Sequence, residues 1–121
     1  MSDAITGFFG AWGETGAEPR AAAIKAAMAD DFVYIDPRVP GPITSLDALA
    51  DYVGQFSANA PGWSARAVKT DVLHGHARVL VAFGGKGPDG SEMVQHGTYF
   101  AEMAGDRIAR LVGFVGTGAP E

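Results

Sequence analysis

The apolar residues change their period halfway along the chain, and that change fixes the order of elements. In the first half they recur every three or four residues, as helices require. Ile5, Phe8, Phe9 and Trp12 fall at i, i+3, i+4 and i+7, and Gly13 and Gly16 end that run. Pro19 suits the first turn of a second helix whose buried stripe is Ala23, Ile24, Ala27 and Met28. A short strand over residues 32–36 follows directly. Thr44 or Ser45 caps a third helix, with Asp47 in its first turn and Leu46, Leu49, Val53 and Phe56 on its apolar face. Pro61-Gly62 stops it.

From residue 63 onward the pattern reads as strands joined by tight turns. The expected strands are 63–73, 78–83, 93–103 and 107–115. The turns fall at Gly75 between His74 and His76, at Lys86-Gly87-Pro88-Asp89-Gly90, and at Ala104-Gly105-Asp106. Helices followed by hairpin-linked strands predict an α+β fold with a mostly antiparallel sheet. With 121 residues and neither repeat nor linker, one domain is expected over 1–116, with a short flexible tail at 117–121.

The strands alternate poorly. Val79, Val81 and Phe83 are apolar, and so are Leu80 and Ala82 between them. Ile108, Leu111, Val112, Phe114 and Val115 likewise supply both faces. Three helices cover one face only, so a homodimer packed through the other face is expected.

Composition closes off several function classes. A net charge of -5 argues against a nucleic-acid footprint, and no basic run suggests a membrane surface. The absence of cysteine excludes disulfides, thiolate chemistry and cysteine-zinc sites. No apolar run reaches membrane-spanning length, and the start lacks the basic residues of a signal peptide, so a cytoplasmic location is expected. His74 and His76 flank a turn with no carboxylate at helical spacing, so no metal or other cofactor is expected. Gly84-Gly85-Lys86-Gly87 resembles a phosphate loop in composition, but no helix follows it.

The most informative local stretch is Asp30-Asp31-Phe32-Val33-Tyr34-Ile35-Asp36-Pro37. Phe32, Tyr34 and Asp36 alternate onto one strand face. A carboxylate sharing a face with two aromatics is costly to bury unless it is paired. Asp36 therefore either opens a turn at the solvent edge, as Asp-Pro often does, or sits in a pocket; the residues alone leave both readings open.

This stretch, the order of elements, and the closing Gly105-Asp106-Arg107-Ile108 to Gly113-Phe114 resemble the nuclear transport factor 2-like superfamily. That superfamily includes ketosteroid isomerase, scytalone dehydratase and the SnoaL-like polyketide cyclases. The resemblance implies a cone: a curved sheet wrapped on helices around a deep apolar pocket. It also implies that Asp36 stands where the isomerase has its general base. It departs at the oxyanion donors, because Phe8 occupies the place of a first-helix tyrosine and Thr98 that of a strand aspartic acid. That departure argues against steroid isomerisation by the same mechanism. The pocket-lining parity of the family implies that His96, Thr98 and Phe100 point inward, with Arg78, Leu80 and Ala82 beside them.

The candidate site that results has Asp36 as base and His96 as its acid–base partner. Trp12, Phe32, Tyr34, Phe56, Phe100 and Phe114 would be its walls, and Arg78 and Thr98 further polar groups. Each has a structural alternative: the aromatics as core, His96 as a sheet or interface residue, Arg78 as half of a surface ion pair with Glu92. The expected function is binding of a small, largely apolar or aromatic molecule, with proton-transfer chemistry of isomerase, cyclase or dehydratase type. The alternative is a non-catalytic binder or a dimeric scaffold on the same fold.

Overall fold

The computed structural model describes residues 2–60, 62–87 and 89–116. Pro61, Pro88 and the expected tail at 117–121 lie outside those residues. The chain forms α1 (Ser2–Gly10), a 3-10 turn (Ala11–Gly13), α2 (Ala17–Ala27), β1 (Met28–Ile35), α3 (Leu46–Asn59), β2 (Ser64–Leu73), β3 (His76–Lys86), β4 (Glu92–Ala104) and β5 (Arg107–Val115).

The helices form where the apolar stripes place them. Ile5, Phe8, Phe9 and Trp12 are all buried, and the 3-10 turn carries the stripe on to Trp12 after α1 ends. In α2, Ile24 and Ala27 are buried. Met28, expected on that helical stripe, instead begins β1, because its backbone is already extended (φ -99, ψ 140). The helix thus runs into the strand without a loop, and β1 starts four residues before the expected boundary. Ser45 is the cap of α3: its Oγ accepts from the Ala48 N–H at 3.2 Å. Asp47 in the first turn faces the positive end of the helix dipole.

The five strands form one open, curved sheet in the order β1-β5-β4-β3-β2. The β2–β3, β3–β4 and β4–β5 pairs are antiparallel hairpins, and β1 joins β5 in parallel. The β2–β3 turn is the two residues His74 and Gly75, both at positive φ (48 and 77). Such a turn matches the right-handed twist of the flanking strands. Register irregularities at Ala67/Lys69 in β2 and Glu102/Met103 in β4 bend the sheet.

The pairing register assigns every strand residue to a face. Ala77, Val79, Val81, Phe83, Gly97, Tyr99, Ala101, Ile108 and Leu111 are buried beneath the helices. Arg78 lies opposite Phe100, Leu80 opposite Thr98, and Ala82 opposite His96, on the other face. The expected parity is therefore reversed: His96, Thr98, Phe100 and Arg78 point away from the helices. A slip of one residue moves a whole strand to its other face. Hydrophobicity did not prevent it, because these strands carry apolar residues on both sides.

The inward face holds an aromatic core. Trp12 packs on Phe56 (ring centroids 5.0 Å apart), Phe83 (5.5 Å) and Tyr52 (5.8 Å). Phe9 packs on Phe8 (5.0 Å) and Tyr99 (4.9 Å). Edge-to-face geometry dominates, as ring quadrupoles favour. The side of the sheet to which the resemblance assigns a pocket is lined by rings packed on one another.

Candidate functional site

Among the described residues one buried side chain is charged or strongly polar: Asp36, 5% exposed. It sits one residue beyond the end of β1, on the same side as Phe32 and Tyr34. Its position follows from local chemistry. Pro37 turns the chain, and the Arg38 backbone N–H donates to Asp36 Oδ1 at 2.7 Å, closing a small side-chain turn. The carboxylate is thereby aimed back into the fold and not along the loop.

Two phenols meet it there. Tyr34 Oη donates to Asp36 Oδ2 at 2.6 Å, and Tyr52 Oη donates to the same oxygen at 2.5 Å. Tyr52 comes from α3, one turn from both Leu49 and Phe56, on the helix's buried side. A third phenol, Tyr99 of β4, lies with its Oη 3.4 Å from that of Tyr34. Each phenol has one proton. The Tyr34 proton is committed to Asp36, so Tyr99 is the donor in the long Tyr99–Tyr34 contact. The arrangement is a carboxylate accepting three hydrogen bonds, with one phenol braced from behind.

Gly113 makes room for Tyr99. It lies directly opposite Tyr99 in the β4–β5 pair, and a Cβ there would stand 2.5 Å from the tyrosine ring. No side chain fits between that ring and β5, so glycine lets the ring lie flat and bring its hydroxyl to Tyr34.

The phenols are held in their protonated form. Burial pushes the Tyr34 hydroxyl well above its usual range, and the neighbouring Tyr99 and Asp36 add to the effect. Burial also raises Tyr52, reinforced by its hydrogen bond to Asp36. Burial raises Tyr99 to about 12, and the nearby Asp36 charge adds to the rise. The Arg38 guanidinium opposes the rise at Tyr52 and Tyr99, which places it as the nearby positive charge. At neutral pH the cluster therefore presents hydrogen-bond donors around one acceptor. Tyr52, half-buried, and Arg38, exposed, connect it to the surface.

Of the residues expected here from sequence, Asp36, Tyr34, Phe32, Trp12 and Phe56 lie on the inner side, and the last three are core packing. The rest do not come together with them. His96 is exposed on the outer face. Arg78 pairs with Asp71 (3.1 Å), its direct neighbour across β2–β3, and not with Glu92. Thr98 Oγ1 donates to the Gly116 carbonyl at 2.9 Å. Phe100 and Phe114 pack on each other, rings 5.9 Å apart, and are 47% and 54% exposed. His76 contacts the His74 carbonyl and Glu102 at the surface. Among the described residues no three His, Cys, Asp or Glu side chains group closely enough to hold a metal ion. No helix there is long and apolar enough to cross a membrane.

Sequence reasoning missed Tyr52 and Tyr99. Tyr52 had a signal, since it falls between Leu49 and Phe56 on the apolar stripe of α3. Tyr99 had one only through strand parity, which was read in the wrong sense. The phenols near the carboxylate come from β1, α3 and β4.

Comparison with known proteins agrees with this architecture. A proposed isomerase of the SnoaL-like family from Agrobacterium tumefaciens superposes with a TM-score of 0.78 at 22% identity, covering 97% of this chain and 100% of that one. A proposed polyketide cyclase from Sinorhizobium meliloti gives 0.67 at 21% identity, covering 93% and 94%. A protein of ketosteroid isomerase-like fold from Catenulispora acidiphila, in complex with trimethylamine, gives 0.73 at 14% identity, covering 92% and 83%. At these identities the likeness is one of fold. No match is found among the curated proteins. The model of the SnoaL-like domain matches residues 5–111, and the chain belongs to that family.

Proposed function

We propose that this domain binds a small, largely apolar molecule against the aromatic interior and transfers a proton on it, with Asp36 as the base. The observation that carries the reading is the convergence of Tyr34 and Tyr52 on a single buried carboxylate, with Tyr99 behind Tyr34. A core that needed only packing would have no use for a carboxylate and three phenols in one place. Related folds described as an isomerase and a polyketide cyclase support the same class of chemistry.

Asp36 Oδ1, which accepts one hydrogen bond, takes a proton from a carbon next to a carbonyl. The electron pair of the broken C–H bond moves to the carbonyl oxygen, giving an enolate. A phenol turned from Asp36 toward that oxygen donates to it, as raised-pKa donors can at neutral pH. The proton then returns to a different carbon, or the enolate carbon attacks a second carbonyl, or a hydroxyl leaves as water. These endings correspond to an isomerase, a cyclase and a dehydratase.

Thermal-shift screening across ketones, lactones and aromatic acids tests the reading, repeated with Asp36→Asn. A ligand that stabilises the wild type and is converted only when Asp36 is present supports it. A ligand that binds both proteins equally and is never converted supports a carrier instead.

A second observation favours an accompanying partner. The outer face carries Phe100, Phe114 and Val94, each more than 45% exposed, within a border of Arg66, Lys69, Asp71, Arg78, Glu102 and Arg110. An apolar centre with a charged rim has the anatomy of an interface. A second copy of this chain is the proposed occupant. Sedimentation equilibrium at micromolar concentration should give twice the monomer mass, and Phe114→Glu should return the monomer. A strictly monomeric wild type contradicts the dimer and leaves the Asp36 reading untouched.

A further inference from the structure

β1 leaves its partner strand for part of its length. It pairs with β5 at Met28↔Ile108 and not again until Val33↔Arg110. Ala29 to Phe32 therefore stand against Ala109 alone, four residues against one. A bulge pushes the chain outward, and such irregularities recur at sheet edges and beside binding sites. β1 is an edge strand, and a groove of about 410 Å³ lies where it bulges, bounded also by α2, the start of α3 and the start of β5. That volume falls in the range of small-molecule pockets, about 300–1,000 Å³.

The groove is apolar below and positive at its border. Met28 and Phe32 of β1 and Leu46 of α3 supply large apolar side chains. Ala22 and Ala26, one turn apart on α2, form a wall of short side chains, which leaves the space open. Two cations line the same space, Lys25 of α2 and Arg107 of β5. A basic residue suits the last turn of α2, but Arg107 brings a second positive charge from another element. Among the described residues neither forms an ion pair. Asp30 is the one carboxylate lining the groove, so the local balance is positive in a chain whose net charge is -5. None of Asp36, Tyr34, Tyr52 or Tyr99 lines it.

We propose that this groove is a second binding site, for a free amphiphilic carboxylate with an apolar tail. The tail lies on Met28, Phe32 and Leu46 beside the alanine wall, and the carboxylate meets Lys25 and Arg107. A neutral apolar ligand would leave the two cations unused, and a small anion would leave the apolar floor uncovered. The overall negative charge works against an anionic membrane surface, which favours a free molecule as the occupant. The site is separate from the Asp36 cluster and does not depend on the chemistry proposed there.

The test uses octanoate and its uncharged counterpart 1-octanol, both kept below aggregation, with the methionine methyl groups labelled with carbon-13. Met28 lines the groove, whereas Met93 and Met103 report from other strands. Octanoate should move the Met28 signal in a saturable way and leave those of Met93 and Met103 in place. Lys25→Gln combined with Arg107→Gln should weaken octanoate about tenfold and leave 1-octanol unchanged. Ala26→Phe, at an exposed position, should fill the groove and abolish the response to both probes without lowering the melting temperature. Asp36→Asn should leave the Met28 titration as it is in the wild type. A Met28 signal that octanoate does not move overturns the inference. So does equal octanoate affinity in the doubly neutralised variant, since the groove would then be apolar only. A Met28 response lost in Asp36→Asn would place the probe at the inner cluster and overturn it as well. Co-sedimentation with phosphatidylglycerol vesicles, with octanoate leaving Met28 unmoved, would assign the cations to a membrane surface instead.

Discussion

The two faces of the β3–β4–β5 sheet both carry large apolar residues, yet they do opposite things. The inner face places Val79, Val81, Tyr99, Ile108 and Leu111 under the helices, all 3% exposed or less, and the buried polar group among them is a phenol. The outer face shows Phe100, Phe114 and Val94 to solvent, and its charges pair with direct neighbours across the strands. Hydrophobicity alone does not separate the two. What separates them is the fit of large rings beside small residues: Tyr99 between Gly97, Ala101 and Gly113 inside, with no such accommodation outside. The polar groups around Asp36 on the inner side are mutually satisfied, whereas the charges outside form exposed pairs of the kind that contribute little.

Substitutions on the inner side should have the larger effects. Asp36→Ala removes the acceptor for two phenols at once, one of them fully buried. It should cost about 2–4 kcal/mol in urea unfolding and abolish any turnover. A loss under about 1 kcal/mol would mean that the hydrogen bonds contribute little. Next comes Gly113→Ala, whose methyl meets the Tyr99 ring; about 1–3 kcal/mol is expected, with Tyr99 displaced from Tyr34. A crystal structure of that variant with the ring unmoved would contradict the role given to Gly113. At the small end, Arg78→Ala breaks only the exposed pair with Asp71 and should change stability by less than about 0.5 kcal/mol. A larger loss would break the comparison, because it would give the outer face the weight assigned to the inner one.

The order of elements was legible because it depends on period, and period is a local property. The stripe ending at Trp12, the Ser45 cap and the turns at Gly75 and Gly105 could all be read one segment at a time. So could Asp36, whose conflict with Phe32 and Tyr34 is visible within five residues. The partners of Asp36 could not. Tyr52 lies 16 residues and Tyr99 63 residues from Asp36, on elements brought together only by the fold. Strand parity was the remaining obstacle, since apolar residues on both faces of β3 and β5 remove the alternation that normally sets it.

The three tyrosines of the chain are all members of the cluster, and this permits a direct measurement. All three have pKa values raised in the fold, Tyr99 to about 12. A group with a raised native pKa contributes stability that is full below its unfolded value, near 10, and is lost as pH rises through the native value. Native ultraviolet titration at 295 nm should therefore show almost no phenolate at pH 10, with ionisation and loss of stability both setting in above it. A native protein in which one or more tyrosines titrate at or below pH 10, with the fold intact, would contradict the buried tyrosine–carboxylate cluster on which the account rests.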